Sequence, residues 1–237
     1  MKKIFLLGFL LLLGACGKQE TNTMVLFAEA EQGIEPYMTR TIVTPDYMRI
    51  DYNQDDDDFI LFDRKTGIIY SVVHENETIV SVKPSKVDAE SPMELDFNIE
   101  KGVLGEDVPD IDGETPAYYR YTANGEVCFE TISVEGILPD VATVYREYLK
   151  SLSGEHARIL PTVPAGMQNA CDLATNIFAY GRQYEKGFPI NEWHGEYNNH
   201  YKRQMIEYKT NIEVEPELFK LPESYHQYSP AEIAPVQ

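Results

Sequence analysis

The sequence predicts an α+β domain, mainly antiparallel β-sheet, with two amphipathic helices late in the chain. Three observations predict it. Short apolar runs broken by turn signals fill the first third of the chain. Two stretches of helical period occur only late in the chain. The length of 237 residues, 43% of them hydrophobic, is ample for a real core.

The predicted strands cover 24–30, 37–44, 47–53, 59–63, 68–73 and 78–83. Between them lie Pro45-Asp46, the acidic run Asp55-Asp56-Asp57-Asp58, Lys65-Thr66-Gly67 and Glu75-Asn76-Glu77. Connections this short suit sequential antiparallel pairing, a meander. Strict alternation is lost at Phe59-Ile60-Leu61-Phe62 and Ile68-Ile69-Tyr70, which put large apolar groups on both faces. Such a sheet must be covered twice or must curve around something.

Residues 85–116 are acidic, flanked and interrupted by Pro84, Pro92, Pro109 and Pro116, and read as a loop excursion. Met93-Glu94-Leu95-Asp96-Phe97 is the one short element expected within it. A hairpin follows over 118–122 and 127–134, joined by Asn124-Gly125, which tolerates the positive φ angles of a type I′ turn. The first helix opens at Leu138-Pro139-Asp140, with Val141, Val144, Tyr145, Tyr148, Leu149 and Leu152 on one face, and is expected to end at Gly154. In the second, Met167, Ala170, Cys171, Ala174, Ile177 and Phe178 recur at helical spacing before Gly181. Strands resume over 188–194 and 202–214, and Leu218-Phe219-Lys220-Leu221-Pro222 closes the domain.

Charge excludes some partners. With 20 Lys plus Arg against 39 Asp plus Glu, the net charge is −19, which argues against nucleic acid and against electrostatic docking on anionic lipid. The N-terminus reads as an address. Met1-Lys2-Lys3 is basic, 4–13 is apolar apart from Gly8, and Leu13-Gly14-Ala15-Cys16 follows. The apolar run is too short to span a bilayer, which needs about 20 residues, and has the length of a secretory signal core. Its ending resembles the lipobox of bacterial lipoproteins. The resemblance implies cleavage after residue 15, lipidation of Cys16, and a tether over 16–23. The acyl chains would hold the chain on the membrane without further contacts. Gly17 stands where an Asp would resemble an inner-membrane retention signal, so the expected location is the outer membrane, facing the periplasm. The cleaved chain would carry 18 basic and 39 acidic residues, a net charge of −21.

If Cys16 carries lipid, Cys128 and Cys171 remain. An even remainder in an oxidising compartment favours a disulfide, and two separate buried thiols are the alternative.

Tyr47-Met48-Arg49-Ile50-Asp51, then Phe59-Ile60-Leu61-Phe62-Asp63-Arg64 leading to Ile69-Tyr70-Ser71-Val72, and the closing Glu215-Pro216-Glu217-Leu218-Phe219-Lys220-Leu221-Pro222 occur in an order that resembles the LolA/LolB-like superfamily and its uncharacterised periplasmic lipoproteins. The resemblance spans 24–225, taken as one domain with 226–237 as a tail. It implies a curved half-barrel sheet around a hydrophobic cavity, lidded by helices. The 85–116 excursion and the Cys128/Cys171 pair have no place in that pattern. On this reading Met38, Ile50, Leu61 and Ile69 would line a cavity from the sheet, and Val144, Tyr148, Met167 and Phe178 from the helices. Each would otherwise be ordinary core.

No Walker A, G-x-S-x-G, H-E-x-x-H or G-x-G-x-x-G string occurs. Asp51, Asn53 and Asp55 have EF-hand spacing, but Asp56 and Phe62 stand where Gly and Glu are required. His194 and His200 beside Glu192 and Glu196 match no standard zinc spacing. The 16 tyrosines raise sugar stacking as an idea, yet most fall within predicted strands and helices, where Tyr is simply a good sheet residue. No catalytic residue, metal or cofactor is therefore expected. The expected partners are the membrane, through the N-terminal lipid, and either a hydrophobic ligand such as an acyl chain or, for a purely structural module, another envelope protein.

Overall fold

The structure, a computed structural model, describes residues 21–52, 58–105, 108–194 and 201–233. The signal segment, Cys16, most of the tether, Asp55–Asp57, Glu196 and His200 lie outside the described residues. Twelve strands are present among those described: β1 (Thr23–Glu31), β2 (Tyr37–Val43), β3 (Tyr47–Tyr52), β4 (Phe59–Asp63), β5 (Ile68–Val73), β6 (Thr78–Val82), β7 (Phe97–Lys101), β8 (Ala117–Ala123), β9 (Glu126–Val134), β10 (Phe188–His194), β11 (Tyr201–Thr210) and β12 (His226–Tyr228). They form one open sheet in the order β12-β6-β5-β4-β3-β2-β1-β11-β10-β9-β8-β7. All neighbours are antiparallel except β12, which runs parallel to β6.

The six-strand meander forms in sequence order from β1 to β6. The later strands extend the same sheet from the other side of β1, through β11. At the β8–β9 turn Asn124 and Gly125 have φ of 51° and 81°, the two positive values a type I′ turn needs. Two expectations are corrected here. Within the acidic excursion the strand is β7, which begins where the expected 93–97 element ends, because Phe97 to Lys101 find free edge groups on β8. The tail beyond Tyr225 also contributes β12, which pairs with β6.

The first helix, α1 (Pro139–Ile159), starts with Pro at a position whose N–H would lack a partner and has Asp140 in its first turn. It runs through Gly154 instead of stopping there. A Cβ at residue 154 would lie 2.2 Å from the Ser85 carbonyl oxygen, so Gly is present for close approach of the loop backbone, not as a helix end. The second predicted helix is not one regular element. A 3₁₀ turn (Ala165–Met167) precedes α2 (Ala170–Leu173), capped by Asn169, whose side chain accepts from the Asp172 N–H at 2.8 Å. A π-helical turn (Ala174–Phe178) continues it. A last short helix, α3, covers Pro230–Ile233.

The sheet curls around α1. Phe62 on β4 and Phe188 on β10 are five strands apart, about 24 Å in a flat sheet. Yet Phe62 packs on Tyr148 at 5.9 Å and Phe188 on Tyr145 at 6.5 Å, and these tyrosines are one helical turn apart. The inner core therefore joins Val25, Phe27, Met48, Ile69, Val141 and Val144 in one cluster. The outer face of the meander is covered too. Phe59, Leu61, Val72 and Ile79 pack against Phe219, Leu221 and Tyr225 of the C-terminal segment. Arg49 Nη1 holds that segment by donating to the Leu218 carbonyl at 2.6 Å, and Phe219 stacks on Tyr47 at 5.3 Å. Cys128 on β9 and Cys171 on α2 form a disulfide that joins the sheet to the irregular helix.

Two outcomes test these contacts. Gly154→Ala gains helix propensity but drives a methyl into the Ser85 backbone, so a net loss of roughly 1–3 kcal/mol is expected in urea unfolding. Replacing Cys128 and Cys171 by Ser opens a closed loop with a sequence separation of 43. In the chain-entropy account this costs about 4 kcal/mol, read as a lower melting temperature than that of the oxidised protein.

Candidate functional site: a tyrosine-lined cavity

The inward-facing row of β1 is Thr23, Val25, Phe27, Glu29 and Glu31, apolar in the middle and acidic at its end. Its neighbours change in the same place. On β2 the row ends in Tyr37 and Thr39, on β3 in Tyr52, on β10 in Glu192 and His194, and on β11 in Tyr201 and Arg203. Because adjacent strands are antiparallel, all these ends lie at one end of the sheet. Tyr145, Tyr148 and Leu149 face them from α1, and a cavity of about 370 Å³ lies between.

Register sets the charge pattern. Arg203 stands directly opposite Glu29 on one side and Glu192 on the other, and Tyr201 stands between Glu31 and His194. The Arg203 guanidinium lies 3.6 Å over the Phe27 ring and 4.9 Å from that of Tyr145. Its Nη2 donates to the Tyr145 hydroxyl, whose oxygen also lies 2.7 Å from Thr41 Oγ1. Its Nε lies 3.5 Å from Glu29 Oε1, too long for a good hydrogen bond. Glu29 accepts from Thr39 Oγ1 and, at 2.9 Å, from the Tyr201 hydroxyl. Glu31 accepts from the Tyr37 hydroxyl. Glu192 lies 2.9 Å from His194 Nε2.

Burial works against the Arg203 charge, but the tyrosine oxygens and Glu29 around it more than offset this and hold its pKa above the ordinary range. Burial pushes the Tyr52 hydroxyl up to about 12 and raises Tyr37, Tyr148, Tyr184 and Tyr201 as well. All five are neutral hydrogen-bonding groups at pH 7.

Of the residues expected to line a cavity, Ile50 and Tyr148 do so. Ile69 and Val144 are in the filled inner core, and Leu61 faces outward under the C-terminal segment. Met38 alternates with Thr39, so it projects from the other side of β2. Phe178 packs with Ala157, Leu160 and Leu173. Met167 is 71% exposed on a separate groove beside Ile159 and Val163, because the regular helix starts only at Ala170. Sequence reasoning gave no role to Arg203, Glu29 or Tyr184, placed Tyr145 only on the apolar face of the first helix, and raised Glu192 only in a rejected zinc set with His194. The alternation Tyr201, Arg203, Met205 was a usable signal, since an Arg within an otherwise inward row needs an acidic cross-strand neighbour. Among the described residues no group of three His, Cys, Asp or Glu is placed to hold a metal ion, and no helix is long and apolar enough to cross a membrane.

No family model and no curated protein matches the chain. Among solved structures it is similar to an uncharacterized conserved protein from Thermus thermophilus, at 9% identity and a TM-score of 0.46, over 88% of this chain and 90% of that one. Two structures of PNGF-II match at 10% and 8% identity with TM-scores of 0.40 and 0.42. They cover 88% and 90% of this chain but only 31% and 32% of PNGF-II. Likeness at this level carries no argument about activity.

The shifted tyrosines make a pH prediction. A tyrosine whose folded pKa lies above the usual 10.0 contributes stability that is complete below pH 10 and lost as pH rises towards 12. Titration of phenolate absorbance should therefore show fewer of the 16 tyrosines ionising near pH 10 in the folded chain than in the denatured one. The rest should ionise only together with loss of the circular-dichroism signal.

Proposed function

We propose that this chain is a lipid-anchored envelope lipoprotein with a LolA/LolB-like sheet, held on the outer membrane and facing the periplasm, that binds a small molecule without transforming it. The observation that carries the binding half is the cavity itself, a concavity between curled sheet and helix lined by convergent polar and aromatic groups. The anchor half rests on the basic start, short apolar core and Leu13-Gly14-Ala15-Cys16, and the Cys128–Cys171 disulfide suits an oxidising compartment. The lining argues against a bare acyl chain, because Ile50 and Leu149 are its only aliphatic members among the described residues. The ligand needs hydrogen-bonding groups as well as apolar surface.

A second reading, an envelope protein-interaction module without a ligand, is favoured by the β7 edge. There Phe97 is exposed and Val103 nearby is 95% exposed, beside the open edge of the sheet.

Native mass spectrometry of the full chain, purified from bacterial membranes in a polyoxyethylene detergent, tests the proposal. The expected spectrum shows a diacyl mass on the protein, absent from Cys16→Ser, and a separate non-covalent adduct released by organic solvent. A protein with no adduct before or after incubation with envelope extract would leave the interaction module standing instead.

A further inference from the structure

We infer that the cavity takes a neutral saccharide of roughly one or two rings, stacked on tyrosine and bound by uncharged hydroxyl and amide groups. The inference rests on the ligand-binding reading above and names the class of ligand. Six of the chain's 16 tyrosines line this single space: Tyr37, Tyr52, Tyr145, Tyr148, Tyr184 and Tyr201. Sheet propensity explains why tyrosines occur in strands, but not why those of β2, β3, β11, α1 and the turn at residue 184 converge on one cavity. A ring with a flat C–H face and equatorial hydroxyls matches such a wall, which offers apolar faces and phenol tips together.

The charges point the same way because they are already engaged. Arg203 is held between Glu29 and Glu192 in register and bonded to Tyr145, Glu29 has Thr39 and Tyr201, Glu31 has Tyr37, and Glu192 has His194. An anionic ligand would compete with Glu29 for Arg203. A cationic one would compete with Arg203, which already occupies the aromatic faces of Phe27 and Tyr145. The hydroxyl and amide groups left over are uncharged, although Glu29, Glu31 and Glu192 share the space with one guanidinium, that of Arg203, so the comparison with cationic glucosamine is the decisive one. The hydrogen bonds among the described residues give the Tyr52 and Tyr148 hydroxyls no partner, although both groups line the cavity, and Thr175, Asn176 and Gln183 add hydroxyl and amide groups at its rim. Groups that both donate and accept, on a wall with little aliphatic surface, fit ligand hydroxyls better than methylenes. The volume of about 370 Å³ is near the lower end for small-molecule sites and sets the size.

Isothermal titration of the full chain in a polyoxyethylene detergent, which carries no sugar, tests this. The probes are glucose, maltose and N-acetylglucosamine, with glucuronate, glucosamine and palmitate as comparisons. At least one neutral sugar is expected to bind saturably and at least tenfold more tightly than the two charged sugars. Tyr52→Phe and Tyr148→Phe each remove one cavity-lining hydroxyl that has no partner among the described residues and keep the ring, so each should weaken that sugar about three- to tenfold at an unchanged melting temperature. No saturable neutral sugar, preference for a charged sugar, or unchanged affinity in both Phe variants would each overturn the inference. If palmitate or a co-purified adduct binds while the sugars do not, the saccharide assignment falls and the binding reading survives. If nothing binds, both fall.

Discussion

An open sheet that is apolar on both faces must find two covers, and most of this architecture follows from how it does so. The inner cover is α1, around which the sheet curls until β4 and β10 share neighbouring tyrosines. The outer cover is the C-terminal segment, laid over Phe59, Leu61, Val72 and Ile79. Each buried Leu, Val, Ile or Phe contributes roughly 1.5–3 kcal/mol relative to exposure. Baring the outer face alone would therefore cost an amount comparable with the whole net stability of a domain, about 5–15 kcal/mol. Small devices then hold the covers in place. Arg49 bonds the Leu218 carbonyl, β12 adds to the β6 edge, and Gly154 lets the Ser85 backbone lie against α1.

The cavity is a product of the same curl. Helix and sheet pack closely where both offer apolar groups, as at Val141, Val144, Val25 and Phe27. They cannot close where five inner rows end in tyrosine and charge. A guanidinium taken out of water must be paired or its burial costs several kcal/mol, so Arg203 draws Glu29, Tyr145 and the Phe27 face around it. Pairing of that kind leaves a polar but nearly self-satisfied wall. On the proposed binding reading, such a wall would discriminate by hydrogen bonding and shape more than by charge.

The β7 edge of the sheet is held by different means. Arg182 is buried and donates to the Thr122 and Asn98 carbonyls, which ties β7 and β8 to the turn after the π-helical segment. The disulfide fixes α2 to β9 beside it. Irregular helix is tolerable there because a covalent link and a buried cation, not a long apolar face, hold it down.

The residues that could be read along the chain were those whose cause is local. The Asn124-Gly125 turn, the meander from β1 to β6 and the start of α1 at Pro139 each follow from a few neighbours in sequence. The outward face of Leu61 and the inward face of Ile69 could not be told apart, since both sit in apolar runs and only the covers decide which face is which. Gly154 reads as a helix stop until Ser85, a residue far back in the chain, is placed against it. Met167 keeps helical spacing with Phe178, but the backbone between them is 3₁₀, α and π in turn. The sequence by itself therefore determined the secondary-structure class, the meander and the pairable cysteines, because these depend on side-chain period, turn geometry and count. Only the tertiary structure decided that Arg203, Glu29, Glu192 and six tyrosines share one space. Cross-strand register, which joins β1 near the start of the chain to β11 near its end, is set by the packing of the whole sheet.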